Sequence, residues 1–339
     1  MDSLDPINKQ TWYSFQNALV QSVIAGGIES MKYYRRPIND IIVKKENVVG
    51  KNPSTLADLY ATLAIIQALD NYLTPITTKL FGSYSCLAEE THYEGWFKKK
   101  LPETLFKRIK PSSQFFEHPE RIRILIDGID GTGNFIRGIP LFCSAAAILI
   151  EDKPRVSALY DPVQNTVYSA LLPGPDNNIC QDAEAWEWHI SSNHRNNLIY
   201  LNQINEKKSL LQESIGIHFT RSDPVKLHEL IQSDNSLSPL EKLSQASSGI
   251  YSFNSSFIAM ILVARGALGA YINNTTQLWD IAAGEILVRA CEGKVTDFNK
   301  KPISYHSPSR VSVVAAKQHI YHDIMELFPR AKIIDCMQK

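Results

Sequence analysis

Residues 121–135 read Arg-Ile-Arg-Ile-Leu-Ile-Asp-Gly-Ile-Asp-Gly-Thr-Gly-Asn-Phe. The first six, Arg121 to Ile126, are β-branched and apolar enough to predict a short strand. The strand is expected to stop abruptly at Asp127-Gly128, leaving Asp127 and Asp130 at its tip. Glycines between the two acids let backbone N–H and C=O groups approach a ligand closely, and strand-end loops are where binding residues gather. A donor set of oxygens, with no thiolate or imidazole, suits Mg²⁺ or Mn²⁺. The plain alternative is an Asx-rich turn that only ends the strand. Gly131-Thr132-Gly133 is not a nucleotide loop. Ile136 stands where the third glycine of Gly-x-Gly-x-x-Gly belongs, and no Gly-Lys-Ser/Thr occurs.

Working downstream, Ser144–Glu151, Arg155–Tyr160 and Thr166–Leu172 read as strands. They are joined by turn-forming Asp152-Lys153-Pro154 and Asp161–Asn165, which predicts an antiparallel meander. Upstream, Trp12, Phe15, Leu19, Val23, Ile28 and Met31 recur close to a 3.6-residue period, predicting an amphipathic helix over Trp12–Tyr34. Gly26-Gly27 weakens that helix locally. A second helix is expected over Leu56–Leu73, with Thr55 as N-cap and Asp58 favouring its first turn. Past Pro173–Asn178 the texture changes, placing a domain boundary near residue 190. Residues 1–190 would form an α+β N-terminal domain with the Asp127 loop. Residues 191–339 would form an α/β domain with helices at Ser255–Ala264 and Asp280–Cys291. Its strands are expected at Ala267–Ile272, Lys294–Asp297, Val311–Ala316 and Lys332–Ile334. Alternating helices and strands imply a layered α/β (α+β) protein.

The 339 residues are 44% hydrophobic, with 35 basic and 35 acidic side chains. That is ample for a core, and the neutral balance argues against a nucleic-acid polymer as partner. Five cysteines, scattered and with no Cys-x-x-Cys, read as free thiols rather than disulfides or a zinc site. The longest apolar run, Phe257 to Ala264, is far too short to cross a bilayer, so no membrane partner is expected. Met1–Pro6 lacks a basic start and apolar stretch, and the cytoplasm is the expected location.

Three further acidic motifs accompany the Asp127 loop: Asn52–Asp58, Ala88-Glu89-Glu90 closing an irregular segment, and Leu278–Gly284. Each has a bland reading. Glu89-Glu90 could be a solvated edge, and Asp280 an N-cap with Trp279 as its hydrophobic anchor. In combination and in this order, they resemble the inositol monophosphatase family of Mg²⁺-dependent, lithium-sensitive phosphatases. That family carries Asp-Pro-Ile-Asp-Gly-Thr-x-Asn-Phe, an upstream Glu-Glu pair, Thr-x-Ala-Asp and Trp-Asp-x-Ala-Ala-Gly. Here these are Asp127–Phe135, Glu89-Glu90, Thr55–Asp58 and Trp279–Gly284. Weaker echoes are Val156–Pro162 and Val263–Tyr271.

The resemblance implies an α-β-α-β-α sandwich and a metal-activated water that hydrolyses a small phosphorylated polyol, sugar or nucleotide. It implies two or three Mg²⁺ ions (or Mn²⁺) on Glu89, Asp127, the Ile129 carbonyl, Asp130 and Asp280. Asp58 and Thr132 would orient and deprotonate the water, and the Gly131 and Thr132 N–H groups would hold phosphate. Glu90 would stand behind the ligands or serve a third metal, and relatives are commonly homodimers. Such a site suits the reaction, because phosphate-monoester hydrolysis is extremely slow without a catalyst and metal ions supply both nucleophile and charge screening. No protein nucleophile stands out: Cys143 lies in an apolar run, and no Gly-x-Ser-x-Gly occurs.

Several positions depart from the family pattern. Gly128 replaces the usual proline, which would loosen the loop. The Lys-x-Asp that often precedes Thr-x-Ala-Asp has no clear match near Asn47–Lys51, where Lys45 or Lys51 would substitute. Asn273 stands where inositol phosphatases commonly carry an acid that reads substrate hydroxyls, which weighs against myo-inositol 1-phosphate. Trp279-Asp280-Ile281 lacks the histidine of bisphosphate nucleotidases, the alternative within the family, although Thr220-Arg221-Ser222 resembles one of their segments. A basic stretch from Lys98 to Lys110 is either a solvated face or a rim attracting a polyanion. His319 and His322 lack a third metal ligand, and Trp186 and Trp188 read as one face of a strand. Outside phosphatase chemistry, the competing readings are a binding module that has lost catalysis and a carboxylate glycosidase using Glu89 or Glu90.

Overall fold

The strand that starts at Ile122 does not stop at Asp127. In the computed structural model, β2 runs Ile122–Asp130, buried along its whole length. The structure describes residues 7–36, 55–117, 120–173, 182–199, 208–219, 237–307 and 309–327. Asn47–Lys51, Lys45, Thr220–Ser222 and the strand expected at Lys332–Ile334 lie outside those residues.

The meander forms as its turn chemistry predicts. β3 (Cys143–Ile150), β4 (Lys153–Asp161) and β5 (Thr166–Leu171) follow β2 antiparallel. β6 (Glu184–His189) and β7 (His194–Asn197) extend the sheet past residue 190. On the other edge, β1 (Ser85–Ala88) lies parallel to β2, which corrects the irregular segment expected before Glu89. Four residues are too few to show an alternating pattern, and all four are buried. The second sheet has the order β11-β12-β10-β8-β9, from β8 (Ser214–His218), β9 (Gly249–Tyr251), β10 (Ala270–Thr276), β11 (Lys294–Thr296) and β12 (Val311–Ala316). Strand β10 begins at Ala270, later than the Ala267 expected. Gly266 and Leu268 instead close the end of the preceding helix by bonding to Val263 and Leu262 carbonyls.

Five layers result. Helices α1 (Lys9–Met31) and α2 (Leu56–Tyr72) cover one face of the first sheet, packing Phe15, Leu19 and Ile66 with Ile124, Ile126 and Ile148. The opposite face, through Leu125, Ala145 and Leu159, meets Phe257, Met260, Ile286 and Leu287. The short helix α3 (Thr132–Ile136) follows β2, and α4 (Pro239–Ala246) lies further along the chain. Phe257 and Met260 belong to α5 (Ser256–Ala264), and Ile286 and Leu287 to α6 (Ala282–Ala290). Both helices lie between the two sheets, against Tyr271, Val313 and Ala315. Beyond the second sheet, Leu243 of α4 packs with Ile324 and Met325 of α7 (Tyr321–Leu327). The burial of these apolar faces drives the stacking, since each sheet and helix must cover a hydrophobic side.

Helix α1 departs from its expected face. Ile28 and Met31 are 54% and 37% exposed, and Gly26 and Gly27 are buried instead. A Cβ on Gly26 would fall 2.6 Å from Ile65, and one on Gly27 would fall 2.3 Å from Tyr160. The glycines are the contact surface where α1 meets α2 and β4. Helix α1 also ends at Met31, and Lys32–Arg35 form a turn.

Candidate active site

Parallel pairing of β1 with β2 sets Ala88 opposite Ile126. Glu89, which opens the 3₁₀ turn after β1, and Asp127, the next residue of β2, therefore come together at the same sheet end. Between Asp127 and Asp130 the register with β3 slips, three steps of β2 matching two of β3. This irregularity re-aims side chains that would face opposite sides of a regular strand. Asp280 arrives from the second sheet, at the end of a 3₁₀ turn, Leu278–Asp280, that follows β10. It is not the N-cap of α6, a place held by Ile281. Its Oδ2 instead accepts from Thr276 Oγ1 at 2.8 Å and the Gln277 N–H at 3.1 Å. Carboxylate oxygens of Glu89, Asp127 and Asp280 lie within 4.8 Å of one another.

Asp130 is anchored where α5 begins. Oδ2 accepts from Ser255 Oγ and from the Phe257 N–H at 2.8 Å, and Oδ1 accepts from the Ser256 N–H at 3.2 Å. These bonds leave Oδ1 a lone pair for a further partner. Thr132 Oγ1 lies 2.8 Å from Asp58 Oδ1, as donor, and 3.0 Å from the Ile129 carbonyl. Asp58 also closes the capping box of α2: Oδ2 accepts from the Thr55 N–H at 2.7 Å, and Thr55 Oγ1 accepts from the Asp58 N–H at 3.3 Å. Glu90 is buried, with Oε2 accepting from Thr62 of α2 at 3.2 Å.

Gly128 has a reason that the sequence did not reveal. A Cβ there would lie 2.5 Å from Thr62 Oγ1 and 2.8 Å from the Asp58 carbonyl oxygen. The residue therefore does not loosen the segment. It lets α2 press against β2, and that contact carries Asp58 to Thr132. Gly131, at φ +91°, makes the left-handed turn into α3, where a side chain would be strained.

Burial dominates the electrostatics. It pushes the Asp127 carboxyl well above its ordinary range, with Glu89, Asp130, Asp280 and Glu90 adding repulsion. Asp130 is pushed up to about 7 by burial, against the pull of its Ser255 and Phe257 hydrogen bonds. Asp58 reaches about 6 for the same reason, moderated by Thr55 and Thr132. Asp127 Oδ1 is buried without a hydrogen-bond partner. Crowded carboxylates with an unsatisfied oxygen, and oxygen donors throughout, fit hard divalent cations. The observed residues thus suit the magnesium that the sequence motifs imply.

Other expected groups lie elsewhere or are occupied. Asn273 is 1% exposed, its amide donating to Tyr271 Oη at 3.0 Å and accepting from the Thr275 N–H at 3.1 Å. It braces the strand end before Asp280 rather than presenting a free amide. Lys98, Lys99 and Lys100 are exposed at the end of a short helix, Glu94–Lys100, with Lys100 over the Tyr60 ring. His319 bonds the Lys208 carbonyl and His322 pairs with Glu326, so the two do not converge. Cys143 is buried, and burial raises its thiol well above the usual range, which removes it as a nucleophile.

Comparison with known proteins gives a consistent picture. The chain is 25% identical over 257 residues to a protein named Nus factor SuhB from Pasteurella multocida, covering 76% of this chain and 82% of the relative. It is 28% identical over 205 residues to a protein named probable inositol 1-monophosphatase ImpA from Mycobacterium tuberculosis (60% and 66% covered). Among solved structures, the extragenic suppressor protein SuhB of Bartonella henselae superposes with a TM-score of 0.68 at 18% identity, over 94% of this chain and 99% of that one. The inositol monophosphatase of Thermotoga maritima gives 0.63 at 18% identity, over 91% and 94%. Both share the layered fold. A model of the inositol monophosphatase family matches residues 15–332, and the chain belongs to that family.

Proposed function

We propose that this chain is a magnesium-dependent phosphomonoesterase acting on a small phosphorylated polyol, sugar or nucleotide. One arrangement carries the reading: three carboxylates within 4.8 Å of each other, beside a Thr132–Asp58 hydrogen bond of 2.8 Å. Magnesium, or manganese, held by Glu89, Asp127, Asp130, Asp280 and the Ile129 carbonyl would supply positive charge against the phosphate and acidify a water nucleophile. With its own proton committed to Asp58, Thr132 offers its remaining lone pairs to the attacking water and orients it. Asp58 stands as the final proton acceptor, and the capping box fixes its second oxygen on Thr55. Gly131 and Thr132, at the turn into α3, face the phosphate with their N–H groups in this reading. A bisphosphate nucleotide is the alternative substrate within the same chemistry.

A second reading, a binding module on this fold, rests on the relatives named Nus factor SuhB. The complete set of acids and the Thr132–Asp58 pair favour the enzyme. Phosphate release from a panel of monoesters, with and without magnesium, separates the two. Release that requires magnesium supports the phosphatase, and silence across the panel from magnesium-loaded protein supports the binding module.

A further inference from the structure

Behind Asp130 runs a chain of hydrogen bonds whose direction is fixed by counting hydrogens. Asn273 Oδ1 accepts from the Thr275 N–H at 3.1 Å, which settles which end of that amide carries the hydrogens. Asn273 Nδ2 lies 3.0 Å from Tyr271 Oη and can only donate to it. Tyr271 Oη lies 2.9 Å from Ser256 Oγ. Tyr271 is buried, and Ser256 Oγ is the only acceptor for its single hydrogen among the described residues. The tyrosine therefore donates to the serine. A buried hydrogen left without an acceptor is costly, and this direction spends the one on Tyr271. Ser256 keeps its own hydrogen, for which the described residues offer no acceptor.

That hydroxyl stands among the residues of the candidate site. The Ser256 N–H donates to Asp130 Oδ1 at 3.2 Å. Ser256 is 4% exposed, as deep as Asp127 and Asp130 at 2% and 7%. A Cβ on Gly131 would sit 3.2 Å from the Ser255 Cβ, so the start of α5 abuts the turn assigned to the phosphate. Burial above all keeps the Tyr271 hydroxyl protonated, and the charges of Asp130 and Asp280 add to the effect, so the chain passes beside both acids.

We propose that Ser256 is a specificity residue that donates its hydroxyl hydrogen to an oxygen of the leaving group next to the scissile ester. Tyr271 and Asn273 are positioning residues that hold Ser256 in the donor state. The inference rests on the phosphatase reading and adds to it a requirement on the leaving group. Its oxygen must accept a hydrogen bond, so a hydroxyl and a carbonyl serve equally. A single neutral donor suits an uncharged oxygen, while the metal ions and the N–H groups of Gly131 and Thr132 take the phosphate charge in that reading.

Three esters that differ only at the neighbouring carbon test this: glycerol 3-phosphate with a hydroxyl, dihydroxyacetone phosphate with a carbonyl, and 3-hydroxypropyl phosphate with neither. Both kcat/KM and calorimetric binding are measured in magnesium at about pH 8, where an aspartate introduced at 273 is ionised. The wild type should favour the first two over the third by about 3- to 10-fold, the usual worth of one neutral hydrogen bond. Ser256→Ala should bring all three esters to one level. Asn273→Asp should reverse the chain, because a carboxylate only accepts: Tyr271 then donates to it and Ser256 to Tyr271. Ser256 would be left an acceptor, and the variant should favour the hydroxyl ester over the carbonyl ester. A merely structural defect lowers all three esters together and leaves their ratios alone.

Equal handling of the three esters by the wild type, or ratios unmoved in Ser256→Ala, overturns the role of Ser256 while leaving the phosphatase intact. Unchanged equality of hydroxyl and carbonyl esters in Asn273→Asp overturns the positioning chain. Binding with the expected preferences, but no phosphate released from any ester, keeps the Ser256 contact and overturns the phosphatase. Neither binding nor release of any of the three overturns the contact.

Discussion

Thr132 of α3 donates its hydroxyl proton to Asp58 of α2 at 2.8 Å, across 74 positions of sequence. The contact joins the strand-end loop to the start of a helix from another layer. It exists because two neighbouring features agree: a capping box that fixes one oxygen of Asp58, and a glycine at 128 that lets the helix approach.

Thr132→Val keeps the shape of the side chain and removes its hydroxyl. Turnover should fall by about 10²- to 10⁴-fold, the usual worth of a positioned proton-transfer group. Thr132→Ser should retain most of the activity. Steady-state kinetics on a responsive monoester, with circular dichroism to confirm folding, provide the check. Equal activity of the valine variant would remove Thr132 from the reaction.

Asp127→Asn should abolish turnover and stabilise the metal-free protein. Asp127 is buried with four acids acting on it, and neutralising it relieves that repulsion. Thermal melts in a chelator should place the melting temperature of the variant above that of the wild type. Magnesium should raise the wild type more than the variant, because ligand binding to the native state adds stability. A variant less stable than the wild type in chelator would contradict the crowding.

The pH dependence of the metal-free protein has a definite sign. Asp127, Asp130 at about 7 and Asp58 at about 6 all titrate higher in the folded state than the ordinary value of 3.8. Between the unfolded and folded values the native state holds more protons, so stability falls as pH rises through this window. His218, lowered by burial, works in the opposite direction as a single group. In chelator the melting temperature should drop from about pH 5 to about pH 8, and magnesium should flatten or reverse the slope. A melting temperature that rises with pH in chelator would refute the carboxylate assignment.

Gly128→Ala tests the packing that brings α2 to the site. The added methyl meets Thr62 Oγ1 and the Asp58 carbonyl, so stability should fall by about 1–3 kcal/mol, as for other overpacked cores. Activity should fall with it, because Asp58 is displaced. Adding Thr62→Ala should restore part of the stability by removing one of the two close atoms. An alanine variant as stable and active as the wild type would show that the close approach is not needed.

Much of the fold was legible where side-chain periods run long. The meander from β3 to β5 follows from apolar runs bounded by turn residues, although its strands are buried without alternation, and Thr55 was legible as an N-cap though not as half of a capping box. The acidic motifs were legible as motifs, but their meeting was not. Glu89 reaches Asp127 only through the parallel pairing of β1, four residues too short to show a pattern. Of the two readings Asp280 offered, metal ligand or helix cap, the cap fails for a local reason: an acid just before a helix looks like its cap, and here it turns back to Thr276 and Gln277. Gly26, Gly27 and Gly128 read as weak points because the sequence shows the missing side chain but not the atoms that occupy its place.

The most direct measurement is phosphate release by the wild type and by Asp127→Asn, across the monoester and bisphosphate panel, in magnesium and in chelator. Magnesium-dependent release by the wild type, lost in the variant and absent in chelator, is the expected result. Release that persists in chelator, or turnover by a folded Asp127→Asn protein near that of the wild type, would contradict the assignment of this carboxylate cluster as a metal-dependent phosphatase centre.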